Sequence, residues 1–160
     1  QVSCSVAVHH LVLTDDLLDG FDSRYKVSPP LRTESDRKAL LKGVKDGTID
    51  LITSDHNPID IEHKKMEFDL AKNGTIGALN TVLPLEICIE KLTQGKSIFG
   101  IENAPIDEGE IANLSFFNPD ETWTFTKENI LSKSKNSAFL GIKMKGKAYG
   151  IFNKGKLILG

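Results

Sequence analysis

The chain has 160 residues, 39% hydrophobic and 26% charged, with a formal net charge of −2. That length holds one medium domain, or one piece plus one small domain, and the composition suits a globular chain that buries a core. The near-neutral charge gives a polyanion partner no preference, and the longest apolar runs fall far short of the roughly 20 residues that span a bilayer.

No signal peptide is expected, because Gln1 leads straight into a strand pattern. Cys4 and Cys88 make neither a disulfide framework nor a zinc ribbon. Each is expected to be a small, buried, reduced hydrophobe, and the cytoplasm is the expected compartment.

Residues 2–8 alternate and are β-branched, which predicts a buried strand running into His9-His10. Thr14-Asp15-Asp16 caps a short helical turn at Leu17-Leu18. Tyr25-Lys26-Val27-Ser28 reads as a short strand stopped by Pro29-Pro30. Thr33-Glu34-Ser35-Asp36 has the form of a capping box. It opens an amphipathic helix through Leu40, Leu41 and Val44, closed by Gly47. Residues 49–54 read as the next strand, and a strand–helix–strand order with a short return predicts parallel pairing.

Residues 56–75 form a polar loop of a length that usually signals function. Ile76 to Lys91 predicts a helix with Pro84 at a kink or near an end, and 92–100 a further short helix ending at Gly100. Beyond residue 105 the pattern turns to alternation, over Ile111–Phe117 and Trp123–Phe125. The chain then closes on strand, turn at Asn153-Lys154-Gly155, strand. The expectation is an α/β unit over 1–105 and a separate, small, mostly β, sandwich-like unit over 106–160.

The chemistry sits after the two clearest strands. Thr53-Ser54-Asp55-His56-Asn57-Pro58 follows the run Ile49-Asp50-Leu51-Ile52, and His9-His10 follows residues 2–8. Short apolar strands that deliver metal-competent or acid–base side chains at their C-terminal ends are the layout of a (β/α) barrel enzyme. Each pair also has a bland reading. A histidine at a strand end is often only hydrogen-bonded, and an aspartate there often caps a turn. Met66 and Phe116-Phe117 read as core. Lys143, Lys145, Lys147, Lys154 and Lys156 read as the solvated face of a hairpin. They lack interleaved aromatics, so no nucleic acid is expected.

Several segments, in order, resemble dihydroorotase, a zinc cyclic amidohydrolase of the amidohydrolase superfamily. Val8-His9-His10-Leu11-Val12-Leu13-Thr14 resembles its sixth barrel strand and following turn. Tyr25 through Arg32 resembles the seventh, and Lys45-Asp46-Gly47-Thr48-Ile49-Asp50 through Pro58 the eighth. Glu67-Phe68-Asp69 and Gly74-Thr75-Ile76-Gly77 are similar to the loop after that strand. Ser132-Lys133-Ser134-Lys135-Asn136, Phe139, Lys145-Gly146-Lys147 and the final hairpin are similar to the family's C-terminal β unit.

The resemblance implies the last three strands of a (β/α)8 TIM-type barrel plus its tail. It implies reversible hydrolysis of the cyclic amide of dihydroorotate to carbamoyl aspartate in pyrimidine synthesis. It implies zinc, with His9 and Asp55 as metal ligands and Asp55 also moving the catalytic proton to the leaving nitrogen. Ser28, Asn57 and Gly74 stand at substrate-contact positions, and His10 and His56 are expected to orient the ligands from behind. The family's His-x-His on the first strand, its metal-bridging residue and its fifth-strand histidine have no counterpart here.

Ser28 replaces a common Asn, and Ile59 a common His, both near substrate in relatives. Lys26 and Arg32 are expected to be solvated charges. The implied partners are an acidic cyclic amide and either a further copy or the N-terminal part of the same barrel, with no nucleic acid and no membrane. The piece alone is expected to be inactive, with an open apolar face near Val6, Val8, Leu51 and Ile52. The alternative is a degenerate or truncated homologue with a structural or partner-binding role.

Overall fold

The computed structural model describes residues 2–75, 77, 83–102 and 105–160. Two three-residue strands, β1 (Ser5–Ala7) and β2 (Leu51–Thr53), pair in parallel with Ala7 opposite Thr53. The pairing is extended at its start: the Asp50 and Leu51 N–H groups both donate to the Cys4 carbonyl, and the Cys4 N–H donates to Asp50 Oδ2 at 2.8 Å. The strand expected over 2–8 is therefore shorter, because at Val8 the chain winds into a single helical turn, α1 (Val8–Val12).

The long return to β2 is made by α2 (Glu34–Asp46), and its ends obey the sequence signals. Thr33 and Asp36 form a reciprocal capping box, and Gly47 terminates the helix at φ +82°. A left-handed C-terminal residue favours glycine. The turn expected at Leu17-Leu18 is present as a 3-10 turn over Asp15–Leu18.

The strand expected at Tyr25–Ser28 is absent. Ser23–Tyr25 forms a 3-10 turn, and the Lys26 carbonyl accepts from the Gly74 N–H at 3.0 Å and from Lys64 Nζ at 3.1 Å. The polar groups of this segment are satisfied by the 60–75 loop instead of a sheet neighbour. That loop also holds a short helix, α3 (Ile61–Lys64), capped by Asp60. The expected Ile76–Lys91 helix falls partly outside the described residues. Its described part is α4 (Leu85–Thr93), with Pro84 at the N-cap, followed by α5 (Gly95–Ile98).

The C-terminal half is an antiparallel sheet in the order β3 (Asn113–Thr124), β4 (Lys143–Asn153), β5 (Lys156–Leu159). The β4–β5 turn places Lys154 and Gly155 at φ +48° and +75°, the pair of positive values a tight hairpin needs.

One apolar cluster joins Val6, Val8, Leu11, Val44, Ile52 and Cys88 to Phe125, Ile130, Phe139 and Met144. The expectation of an open face at Val6, Val8 and Ile52 is thus corrected: α4, packed against β2, and the C-terminal half cover them. Phe116 and Phe117 are exposed by 40% and 45% instead of forming core. They line an apolar groove of about 610 Å³ with Leu85, Ile89 and Leu92. Met66 is exposed as well. Cys4 also departs from expectation: it is exposed, while Cys88 is buried.

Candidate metal and acid–base site

Parallel pairing fixes the geometry of the site. Ala7 lies opposite Thr53, so the residues two positions on, His9 and Asp55, leave the same C-terminal edge. Their side chains meet, with His9 Nε2 at 3.9 Å from Asp55 Oδ2. His9 is fully buried, and among the described residues neither of its ring nitrogens has a hydrogen-bond partner. His10 is nearly buried, its Nε2 has no partner among the described residues either, and its ring lies 4.3 Å from that of His9. Unpaired buried polar atoms are costly and rare, so the three on His9 and His10 make these rings candidate ligand-holding groups.

Burial pushes the His9 imidazole down to about 4. His10 adds to that fall, and Asp55 opposes it. Burial lowers His10 as well, again against the pull of Asp55. Both rings are therefore neutral at pH 7, which leaves a nitrogen lone pair free to ligate.

Asp55 stands at φ +43°. An aspartate tolerates this left-handed backbone better than most residues, but the conformation still costs on the order of 1 kcal/mol. It holds a carboxylate that keeps 47% of its side-chain surface open.

The loop after Asp55 is clamped. His56 and Thr75 form a parallel bridge, and the Asn57 N–H donates to the Thr75 carbonyl at 2.9 Å. Thr75 is buried, and its hydroxyl accepts from the Ala138 N–H at 2.8 Å. Ser134 Oγ donates to the Ile59 carbonyl at 2.5 Å. Gly74 sits at φ +137°, and a Cβ there would meet Ile59 Cγ1 at 2.8 Å and the Asn57 carbonyl at 2.9 Å.

Of the residues expected from sequence, His9, His10 and Asp55 come together, and Asn57 and Gly74 pack against each other. Ser28 and His56 are exposed. Lys26 is not a solvated charge: its Nζ donates to the Phe68 and Asp69 carbonyls at 2.7 and 2.9 Å. Arg32 is exposed beside Asp36. Sequence reasoning did not place Thr75 or Ser134 at the site. The only sign of Ser134 was its place in the Ser132–Asn136 motif. Among the described residues no group of three or more His, Cys, Asp or Glu side chains is placed to hold a metal. No described helix is long and apolar enough to cross a membrane.

Solved structures share this fold. The L-hydantoinase of Arthrobacter aurescens superposes with a TM-score of 0.88 at 24% identity, over 99% of this chain and 39% of that one. The D-hydantoinase of Thermus sp. gives 0.82 at 22%, over 98% and 39%. The inactive dihydroorotase-like domain of the Chaetomium thermophilum CAD-like multifunctional protein gives 0.66 at 20%, over 98% and 43%. The chain thus has the fold of about 40% of these longer hydantoinase chains.

Curated relatives sharpen this. The dihydroorotase of Geobacter metallireducens is 37% identical over 170 residues, 99% of this chain and 40% of that protein. The dihydroorotase of Endomicrobium trichonymphae is 40% identical over 162 residues, 92% and 38%. The chain resembles dihydroorotases over essentially its whole length and spans about 40% of theirs, matching their C-terminal part. No model of a known protein family matches it.

Proposed function

We propose that these 160 residues are the C-terminal portion of a dihydroorotase-type, zinc-dependent hydrolase of pyrimidine biosynthesis. The reaction is the reversible opening of the cyclic amide of dihydroorotate to carbamoyl aspartate, and the piece by itself is inactive. The observation that carries the reading is the meeting of buried His9, unpartnered among the described residues, with Asp55 at the ends of neighbouring parallel strands. A neutral imidazole and a carboxylate fit zinc, but they are two donors where zinc takes about four.

Zinc, when bound, polarises the amide carbonyl and acidifies water. The rest falls to the chain. Asp55, open on one side, ligates and carries a proton between water and the leaving amide nitrogen at its free oxygen. His10, its ring tilted against that of His9 at 4.3 Å, fixes the ring that ligates. Gly74 keeps a Cβ out of the space beside Asn57, and the clamp on residues 57–59 holds Asn57 where a substrate carbonyl or carboxylate would meet it. Ser28 and Asn57 are the proposed polar substrate contacts, and His56 the proposed support of the Asp55 turn.

Residues 1–105 are the proposed barrel portion and 106–160 the proposed β unit. The proposed setting is cytoplasmic, with the missing barrel strands or a further copy as partner. The test uses the purified chain with zinc. It should show no dihydroorotate hydrolysis and should lose zinc to a mild chelator. Stoichiometric zinc retained through dialysis, or turnover, would overturn the reading.

A second reading is a degenerate homologue with a partner-binding role. It is favoured by the likeness to the inactive dihydroorotase-like domain. An intact mass well above 17.6 kDa for the natural protein would support the first reading, and zinc-dependent turnover by that longer protein would exclude the second.

A further inference from the structure

A second cleft, of about 760 Å³, opens between the 58–65 loop and the 132–136 segment, within the size range of small-molecule sites. Arg24, Lys64, Lys65, Lys127, Lys133 and Lys135 line it, against only Asp22 and Asp60. That is a strong local excess of positive charge in a chain whose net charge is −2.

The two carboxylates are already engaged. Asp22 pairs with Arg24 at 2.5 Å, and Asp60 caps α3 by accepting from the Glu62 N–H. Lys135 donates to the Ile130 carbonyl. Lys65 and Lys133 have no acidic partner among the described residues, and Lys127 lies beside Glu128 without an ion pair.

Two buried donors line the same cleft. Lys64 is 3% exposed, and its ammonium donates to the Ser23 and Lys26 carbonyls, at 2.8 and 3.1 Å. An ammonium has three N–H donors, so one is left. Burial, and then the charge of Lys26, bring this lysine down to about 8 against the pull of Asp22. A bound anion would relieve that penalty. Asn136 is 4% exposed, and its side-chain NH₂ has no partner among the described residues.

We propose that this cleft binds the phosphate or diphosphate group of a small molecule, with Lys64 and Asn136 as its buried donors and Lys65, Lys127 and Lys133 at its mouth. The chemistry favours phosphate over a carboxylate. The one guanidinium fork is spent on Asp22, and what remains are ammonium point charges, which match the charge density of phosphate better than the flat geometry of a carboxylate. The cleft does not involve His9 or Asp55.

The test is calorimetric titration of the 160-residue chain with inorganic phosphate, pyrophosphate and citrate, at about 20 mM and about 150 mM salt. Pyrophosphate should bind saturably at one site, tighter than phosphate and tighter than citrate. The double variant Lys127→Gln/Lys133→Gln, on exposed positions, should weaken it about tenfold. A charge-matched control on the hairpin, Lys143→Gln/Lys154→Gln, should change it by less than about twofold. Asn136→Asp, which keeps the side-chain volume, should abolish binding while circular dichroism stays unchanged. No saturable binding, equal loss in both double variants, or citrate binding as tightly as pyrophosphate would each overturn the proposal.

Discussion

Acidifying the metal-free chain should reveal the state of His9. In the unfolded chain its imidazole titrates near 6.5; in the fold, burial brings it to about 4. Between those values the unfolded chain binds more protons, so stability falls as pH falls through that window. At about 1.4 kcal/mol per tenfold change in proton affinity, the full loss from His9 is on the order of 3 kcal/mol, nearly all of it incurred by pH 4. His10 shifts in the same direction and adds to the slope.

Against the 5–15 kcal/mol typical of a domain, roughly 3 kcal/mol is a large share. The carboxylates held low by their partners, such as Asp22 and Asp36, lose their contribution only at lower pH and do not blur the window. Urea unfolding from pH 7.5 to pH 4 measures the slope, and NMR of the imidazole protons assigns it. Asp55→Asn removes the charge that pulls His9 upward, so the ring should titrate lower still. Stability flat from pH 7 to 5, or His9 titrating at 6.5 or above in the folded chain, would refute the reasoning.

Gly74→Ala should destabilise the chain by about 2–4 kcal/mol in urea unfolding, from left-handed strain and contact with Ile59 and Asn57; a loss below about 0.5 kcal/mol would show that the loop gives way. Thr75→Val leaves the buried Ala138 N–H without its acceptor, at a cost of about 1–3 kcal/mol in the same assay. Ser134→Ala frees the Ile59 carbonyl and should speed hydrogen exchange in residues 57–60 while leaving β3–β4 amides unchanged.

What the sequence revealed was whatever local chemistry dictates. The capping box at Thr33–Asp36, the Gly47 stop and the hairpin at Asn153–Gly155 are each decided within a few residues, and the structure has them all. The pairing of His9 with Asp55 was legible because both follow strands whose parallel order is forced by the return through α2. Tyr25–Ser28 misled because its strand-like composition is overridden by hydrogen bonds to Lys64 and Gly74, about 40 residues or more away. Thr75, Ser134 and Lys64 stayed hidden for the same reason. Their roles are set by partners across the fold, and a threonine, a serine or a lysine in a polar loop carries no local mark of them.

The central claim is that His9 and Asp55 are working ligands of a site completed by strands outside this chain. A chimera tests it most directly: the aligned segment of the Geobacter metallireducens dihydroorotase is replaced by these 160 residues, and zinc content and carbamoyl aspartate cyclisation are measured. The account predicts bound zinc and measurable turnover, with Asp55→Ala lowering turnover by more than about a thousandfold and His9→Ala lowering zinc content, both in folded protein. A folded chimera whose zinc content and turnover are unchanged by either substitution would contradict it.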